Sequence, residues 1–326
     1  MAELKGVAAS IPNQRILIST LGIQEAKDSS AIENIVTTHD ELFREASDSS
    51  ELANPAAKEV LRYRQALQVG FDLVRKHGLI TNNHILRVQR ELEENSAGFR
   101  RVPGTTLKDG AGRVVYTPPQ DARRIVTLMT ELEAFINAPR TPRMDPLVRM
   151  AVTHHRFESI HPFYDGNGRT GRILNVLFLV KEGLLDIPVL YLSRHIVRTK
   201  GEYYRLLQAV RTHGAWEAWV AYMLTAVAES AREGIATVVA IREALLEVKH
   251  QVRREFRKFY SQDLINNIFA HPYTKIQFVE DELSVSRITA TKYLDALAEA
   301  GILEKTKVGR SSFYINVRLV RILSTH

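Results

Sequence analysis

The chain has 326 residues, of which 45% are hydrophobic and 25% charged, with a formal net charge of +7 and an isoelectric point near 9.5. This composition describes a globular protein of two or three units and excludes a disordered one. There is no cysteine, which excludes disulfides and thiolate metal sites. No apolar run reaches the roughly 18 residues of a membrane span, and the N-terminus lacks the pattern of a secretory signal. A cytoplasmic protein with no membrane partner is therefore expected. The basic excess is spread along the chain and by itself names no partner.

In chain order, the first marked segment is Ser29-Ser30-Ala31-Ile32-Glu33-Asn34. On its own it reads as a helix cap with a solvated glutamate. Helical spacing of apolar residues predicts helices over 56–76, 80–94, 121–137 and 145–157, with Pro139, Pro142 and Pro146 punctuating the approach to the last. Residues 98–119 carry two short β-prone runs around Lys108-Asp109-Gly110-Ala111-Gly112, the pattern of a hairpin. His154 and His155 are adjacent, so on a helix they point in different directions and make a poor metal pair. They read as structural.

Residues 161–172 are the most informative: His161-Pro162-Phe163-Tyr164-Asp165-Gly166-Asn167-Gly168-Arg169-Thr170-Gly171-Arg172, followed by an apolar helical run to Val180. Glycines free the backbone to turn and to expose N–H groups, and the helix that starts there favours anions at its N-terminus. Arg169 and Arg172 are three apart and share one side of the first turn, where two guanidiniums can hold phosphate oxygens. Asp165 is a hard oxygen ligand suited to Mg2+. His161 is expected to titrate near neutrality and to accept a proton from an attacking hydroxyl.

This segment resembles the Fic-domain motif H-x-F-x-[DE]-G-N-G-R-x-x-R at every fixed position. The resemblance implies a transfer of AMP from ATP to a protein Ser, Thr or Tyr hydroxyl. It makes His161 the general base and Asp165 the Mg2+ ligand. Gly166, Asn167 and Gly168 become the anion-binding turn, and the nucleotide-binding stretch runs on through Arg169, Thr170, Gly171 and Arg172. Phe163 becomes the anchor of the loop. Residues 29–34 then resemble the family's inhibitory motif [ST]-x-x-x-E-[GN], with Glu33 pairing Arg172 and keeping it from the γ-phosphate. The 98–119 hairpin resembles the family's flap, where a target protein segment docks as an added strand. Lys200-Gly201-Glu202-Tyr203-Tyr204 resembles the segment lining the nucleotide pocket, with Tyr203 as the candidate adenosine contact, although aromatic core packing explains either tyrosine nearly as well. Dimer contacts are common in the family, so a homodimer is a further expectation.

Helical stretches are predicted over 201–231 and 235–260, the second ending in Arg253, Arg254, Arg257 and Lys258. From about Leu264 the pattern changes. A short helix from Ile276 to Leu283, a polar turn, a second helix from Arg287 to Ala300 and two strands around Val308-Gly309-Arg310 resemble a winged helix-turn-helix. Arg287, Thr291 and Lys292 would face a DNA groove, and Lys305, Lys307 and Arg310 its phosphates. The same unit also suits dimerisation or target docking. The expected fold is mainly α: a Fic helical core with a small β-hairpin flap and a C-terminal winged helix-turn-helix. The expected domains are an N-terminal helical region at 1–95, the core at 96–232, a linking helix at 233–263 and the C-terminal domain at 264–326. Two functional classes compete: a self-inhibited protein adenylyltransferase, and a DNA-binding regulator whose Fic core senses nucleotide. Removal of AMP, or use of another phosphate-linked donor, is a variant of the first.

Overall fold

The structure is a computed structural model that describes residues 1–47, 54–139, 144–308 and 311–324. Pro142, Gly309 and Arg310, named above, lie outside the described residues. Helices α1 (Ala2–Ala9), α2 (Arg15–Ile32), α3 (His39–Ser47), α4 (Pro55–His77) and α5 (Asn82–Glu93) precede a hairpin of β1 (Leu107–Lys108) and β2 (Val114–Tyr116). Then come α6 (Ala122–Asn137), α7 (Pro146–Ile160), α8 (Asn167–Lys181), α9 (Leu192–Arg198), α10 (Lys200–His213) and α11 (Trp216–Glu255). The C-terminal part holds α12 (Gln262–Ala270), β3 (Tyr273–Thr274), α13 (Ile276–Leu283), α14 (Arg287–Glu299), β4 (Glu304–Val308), β5 (Ser311–Ile315) and α15 (Val317–Ser324). Among the described residues the fold is mainly α with two small antiparallel sheets. Its contacts form two compact units that interleave along the chain, one of residues 1–2, 25–36 and 59–231 and one of 3–24, 37–58 and 232–326.

In the first unit α8 is the central element. From Arg169 to Leu179 every residue is buried, the signature of a helix enclosed on all sides. α7 and α5 pack on α8, and α6 packs on α7. Local chemistry sets the ends of these helices. Asp145 accepts from the Leu147 N–H at 2.7 Å ahead of Pro146 at the first position of α7, and Asp121 accepts from the Arg124 N–H at 2.7 Å to open α6. The predicted helices 201–231 and 235–260 are divided elsewhere. Gly214, with φ of 65°, ends α10, and α11 runs unbroken from Trp216 to Glu255. A left-handed glycine stops a helix more firmly than the polar residues near 232. In the hairpin Leu107 faces Tyr116 and Lys108 faces Val114. Asp109 shapes its turn by accepting from the N–H groups of Ala111 and Arg113 at 2.9 and 3.0 Å. Phe99 to Val102 stay outside the strands.

In the second unit α13 and α14 are joined by a turn through Ser284, which has φ of 53°. Ser286 caps α14 by accepting from the Thr289 N–H. The sheet has the order β3-β5-β4, antiparallel throughout. Leu264, Ile268, Phe269, Val279, Ala290, Leu294, Leu297, Phe313 and Leu319 are buried. Asn267 is buried among them, satisfied by Thr274, Phe278 and Glu282. Arg287, Lys292 and Lys307 are exposed. Thr291 donates to the Arg287 carbonyl and Lys305 pairs with Asp295 at 2.6 Å.

Candidate active site

The loop from His161 to Gly166 joins α7 to α8. His161 ends α7 in the left-handed region, with φ of 51° and its N–H bonded to the Phe157 carbonyl at 2.9 Å. Asn167 holds the loop in register: its Oδ1 accepts from the Phe163 N–H and its Nδ2 donates to the Phe163 carbonyl, both at 2.8 Å. Its side chain is thus committed to the loop, and only its backbone remains for an anion. Phe163 is fully buried, its ring 5.5 Å from that of Phe99 and 6.3 Å from that of Phe157. Asp165 is exposed and accepts from the Gly166 N–H at 2.7 Å. Gly166, with φ of 74°, opens α8 without a side-chain cap, which leaves first-turn N–H groups for an anion.

Both arginines of the first turn are already engaged. Arg172 donates from Nε to Ser29 Oγ at 2.7 Å and from Nη2 to the Ser29 carbonyl at 3.0 Å and to Glu33 Oε1 at 2.7 Å. Arg169 meets three carboxylates: Glu33 Oε2 at 3.2 Å, Glu59 Oε2 at 3.0 Å and Glu93 Oε1 at 2.9 Å. Burial by itself would lower the Arg172 pKa, but Glu33, with Tyr203, Tyr63 and Glu158 around it, raises the guanidinium above its ordinary range. The two glycines explain how closely the acids approach. A Cβ on Gly168 would stand 2.5 Å from Glu33 Oε1, and one on Gly166 would stand 2.2 Å from Glu93 Oε1. The cradle at the start of α8 is filled by the chain's own carboxylates. Nothing in the local sequence marks Glu59 or Glu93.

Glu33 follows a helix face that is held from beneath. Glu25, Ser29 and Glu33 are four residues apart, so they stack along one side of α2 and its end. Glu25 is fully buried. It accepts from Ser193 Oγ at 2.5 Å, from the Ser193 N–H at 3.3 Å and from the Tyr63 hydroxyl at 3.2 Å. Burial pushes its carboxyl up to about 8, against the bonds from Ser193. Polar residues at this spacing within a largely apolar helix are the signal that could have revealed it.

His161 departs from the expectation of a near-neutral titration. Burial, followed by the charges of Arg100 and Arg211, lowers its imidazole to about 4, so it is neutral at physiological pH. One turn earlier, Glu158 is buried and its carboxyl rises to about 7, chiefly through burial. Arg211 donates to Ser159 Oγ at 3.0 Å and to the Glu158 carbonyl at 3.2 Å.

Tyr203 is corrected from adenosine contact to core residue. It is 1% exposed, its hydroxyl lies 2.8 Å from His154 Nε2, and its ring packs 5.7 Å from Trp219. No face is left for a base. Tyr204, beside it, is 47% exposed. His154 and His155 are buried and structural, as expected, the second held at 3.2 Å from the Leu207 carbonyl. Thr170 is buried with its N–H on the Gly166 carbonyl, and the Gly171 carbonyl lies 3.3 Å from His154 Nδ1; both pack α8 rather than face its open end.

Comparison with known proteins agrees with this geometry. The family model "Fic/DOC family N-terminal" matches residues 1–72, "Fic/DOC family" matches 79–179, and "Protein adenylyltransferase SoFic-like, C-terminal domain" matches 245–319. Protein adenylyltransferase fic-1 of Caenorhabditis briggsae is 29% identical over 135 residues, covering 41% of this chain and 25% of that protein. Protein adenylyltransferase Fic of Culex quinquefasciatus is 30% identical over 156 residues, covering 46% and 28%. The match thus spans about a quarter of the length of these curated relatives. Among solved structures, a Fic family protein from Desulfovibrio desulfuricans G20 has the same fold, with a TM-score of 0.59 at 22% identity over 97% of this chain and 94% of that one. Fic-1 (residues 134–508) of Caenorhabditis elegans gives 0.52 at 24% over 68% and 63%. With its motif, its α7–α8 core and family matches over most of its length, the chain belongs to the Fic/DOC family.

Proposed function

We propose that the chain is a protein adenylyltransferase, transferring AMP from ATP to Ser, Thr or Tyr hydroxyls of a target protein and of itself, and that Glu33 holds it inactive. The observation that carries this reading is the phosphate cradle of α8, set beside His161 and filled by Glu33 and Glu93. In the reaction the target hydroxyl oxygen attacks the α-phosphorus, the bond to the β-phosphate oxygen breaks, and pyrophosphate leaves. His161 takes the hydroxyl proton. It is neutral before the reaction, and the polyphosphate beside it favours the imidazolium that forms. Arg169, Arg172 and the N–H groups of the first turn of α8 hold the phosphates and oppose their charge, the main task in such transfers.

Asp165 is the residue that would hold Mg2+. Among the described residues no group of three or more His, Cys, Asp or Glu surrounds a metal position. A single exposed carboxylate next to a phosphate cradle nevertheless fits this ion, which takes one or two carboxylates and completes its shell with phosphate and water oxygens. When bound, Mg2+ neutralises charge on the transferring phosphates. The target segment is assigned to the β1–β2 hairpin, where Val114 and Val115 are exposed, as an added strand.

Inhibition follows from competition for Arg172. Glu33 makes a charge-assisted bond worth roughly 1.5–3 kcal/mol, which a γ-phosphate must displace. Glu33→Gly is therefore expected to strengthen productive ATP use roughly ten- to hundredfold. The test is AMP incorporation from α-labelled ATP by wild type, Glu33→Gly and Glu33→Gly/His161→Ala. The reading expects labelling that rises in the first variant and vanishes in the second. ATP binding without labelling in any of them refutes AMP transfer to the chain itself and turns attention to removal of AMP or to another donor.

A second reading concerns the second unit. Arg287 and Lys292 are exposed on α14, and Ile288 beside them is 84% exposed. In a helix-turn-helix, residues so placed on the second helix contact base edges in a DNA groove. Salt-dependent duplex binding lost on Arg287→Ala and Lys292→Ala would support it.

A further inference from the structure

Arg100 is a buried cation with an unusual set of partners. It is 1% exposed, yet its partners among the described residues are carbonyl oxygens rather than carboxylates. Nε donates to His161 O at 2.7 Å, and Nη2 donates to Pro119 O at 2.5 Å and to Ile160 O at 3.3 Å. Its own N–H donates to Pro162 O at 2.8 Å. An uncompensated buried charge costs several kcal/mol, so its retention calls for a reason. Three of these four acceptors, at 160–162, are the last carbonyls of α7 and of the turn that carries His161. That is the negative end of the helix, where a cation is favoured. The fourth closes the segment that follows β2. A second tie runs in parallel: the Tyr116 hydroxyl on β2 donates to the Ser159 carbonyl at 2.9 Å, with the Arg211 guanidinium 4.0 Å over its ring.

We propose that Arg100 is the positioning residue of this site: its guanidinium fork pins the left-handed turn at His161 and ties it to the flap, so that a segment docked on the flap meets a preset base. The proposal rests on the reading of His161 as that base. It assigns Arg100 no contact with substrate.

The charges facing His161 are Arg100 from the flap segment and Arg211 from α10, which lower it, and Glu33 beyond α2, which raises it. Removing the Arg100 charge must therefore make the imidazole easier to protonate. The first readout is the titration of the His161 ring by NMR on the full chain with 13C-labelled histidine, its signal among the 11 histidines identified by its loss in His161→Ala. This measurement needs no transferase activity, so it stands whether or not AMP transfer is found. Arg100→Met should raise the midpoint by about one pH unit or more. Arg100→Lys keeps the charge and should leave the midpoint near that of wild type. A folded Arg100→Met protein with an unchanged midpoint overturns the proposal.

Should Arg100→Met fail to fold, Arg100→Lys decides. A lysine keeps the backbone bond to Pro162 O, but its single ammonium lacks the fork that spans the carbonyls of Pro119, Ile160 and His161. In a Glu33→Gly background it should lower the rate of AMP incorporation at saturating ATP roughly tenfold or more, with the KM for ATP unchanged. A raised KM at unchanged rate would place Arg100 in nucleotide binding and overturn the proposal, as would wild-type behaviour in both constants.

Discussion

Replacing Glu25 by glutamine tests the buried support of the segment that carries Glu33. Unfolded, this carboxyl titrates near 4.5; folded, burial raises it to about 8. Between these values the folded chain keeps a proton that the unfolded chain has released. Stability from this group is therefore complete below pH 4.5 and falls as pH rises, by about 1.4 kcal/mol per unit. The loss levels off above pH 8. Over that window the upper bound is on the order of 5 kcal/mol. Glutamine is neutral throughout and occupies nearly the same volume, so at pH 5 it should cost no more than about 1 kcal/mol of altered hydrogen bonding to Ser193 and Tyr63. At pH 9 the variant should be more stable than wild type by several kcal/mol. Urea unfolding followed by circular dichroism at pH 5, 6, 7, 8 and 9 measures the difference between the two proteins, in which the pH dependence of every other group cancels. A constant difference across that range would refute the claim that Glu25 is held neutral, and with it the account of how α2 is seated.

Two further substitutions probe the loop and the cradle. Asn167→Ala removes both bonds to the Phe163 backbone and leaves a buried N–H and carbonyl unpaired, at a cost of roughly 2–4 kcal/mol; a lowered melting temperature together with lost AMP incorporation in the Glu33→Gly background is expected, and unchanged melting would contradict the clamp. Gly168→Ala places a methyl 2.5 Å from Glu33 Oε1 and 2.9 Å from Arg172 Nη1, so it should displace the Glu33 carboxylate; under the proposed function it should not raise AMP incorporation, because phosphate would approach the same glycine, and labelling at the level of Glu33→Gly would show that the phosphates lie elsewhere.

The short range of the motif is what made this site legible in the chain itself. Residues 161–172 are contiguous, and the three-residue spacing of Arg169 and Arg172 decides by helix geometry alone that they share a side. Helices α5, α6 and α7 followed from apolar periodicity, and the structure adds that caps such as Asp121 and Asp145 set the starts of α6 and α7 by acting on their nearest neighbours. Glu33 opposite Arg172 came from the resemblance, but the partners of Arg169 could not be read from local geometry. Glu59 and Glu33 reach Arg169 across 110 and 136 residues of chain, and no local preference says which of 37 acidic residues will arrive there. Tyr203 went from ligand contact to core because burial is a property of the packed helices, not of its neighbours in sequence. His161 lost its near-neutral titration for the same reason: desolvation and the charges of Arg100 and Arg211 act through space. The amino-acid order determined the chemistry available at the start of α8. Only tertiary packing decided which charges occupy it, because electrostatics and desolvation depend on distance in the fold and not on separation along the chain.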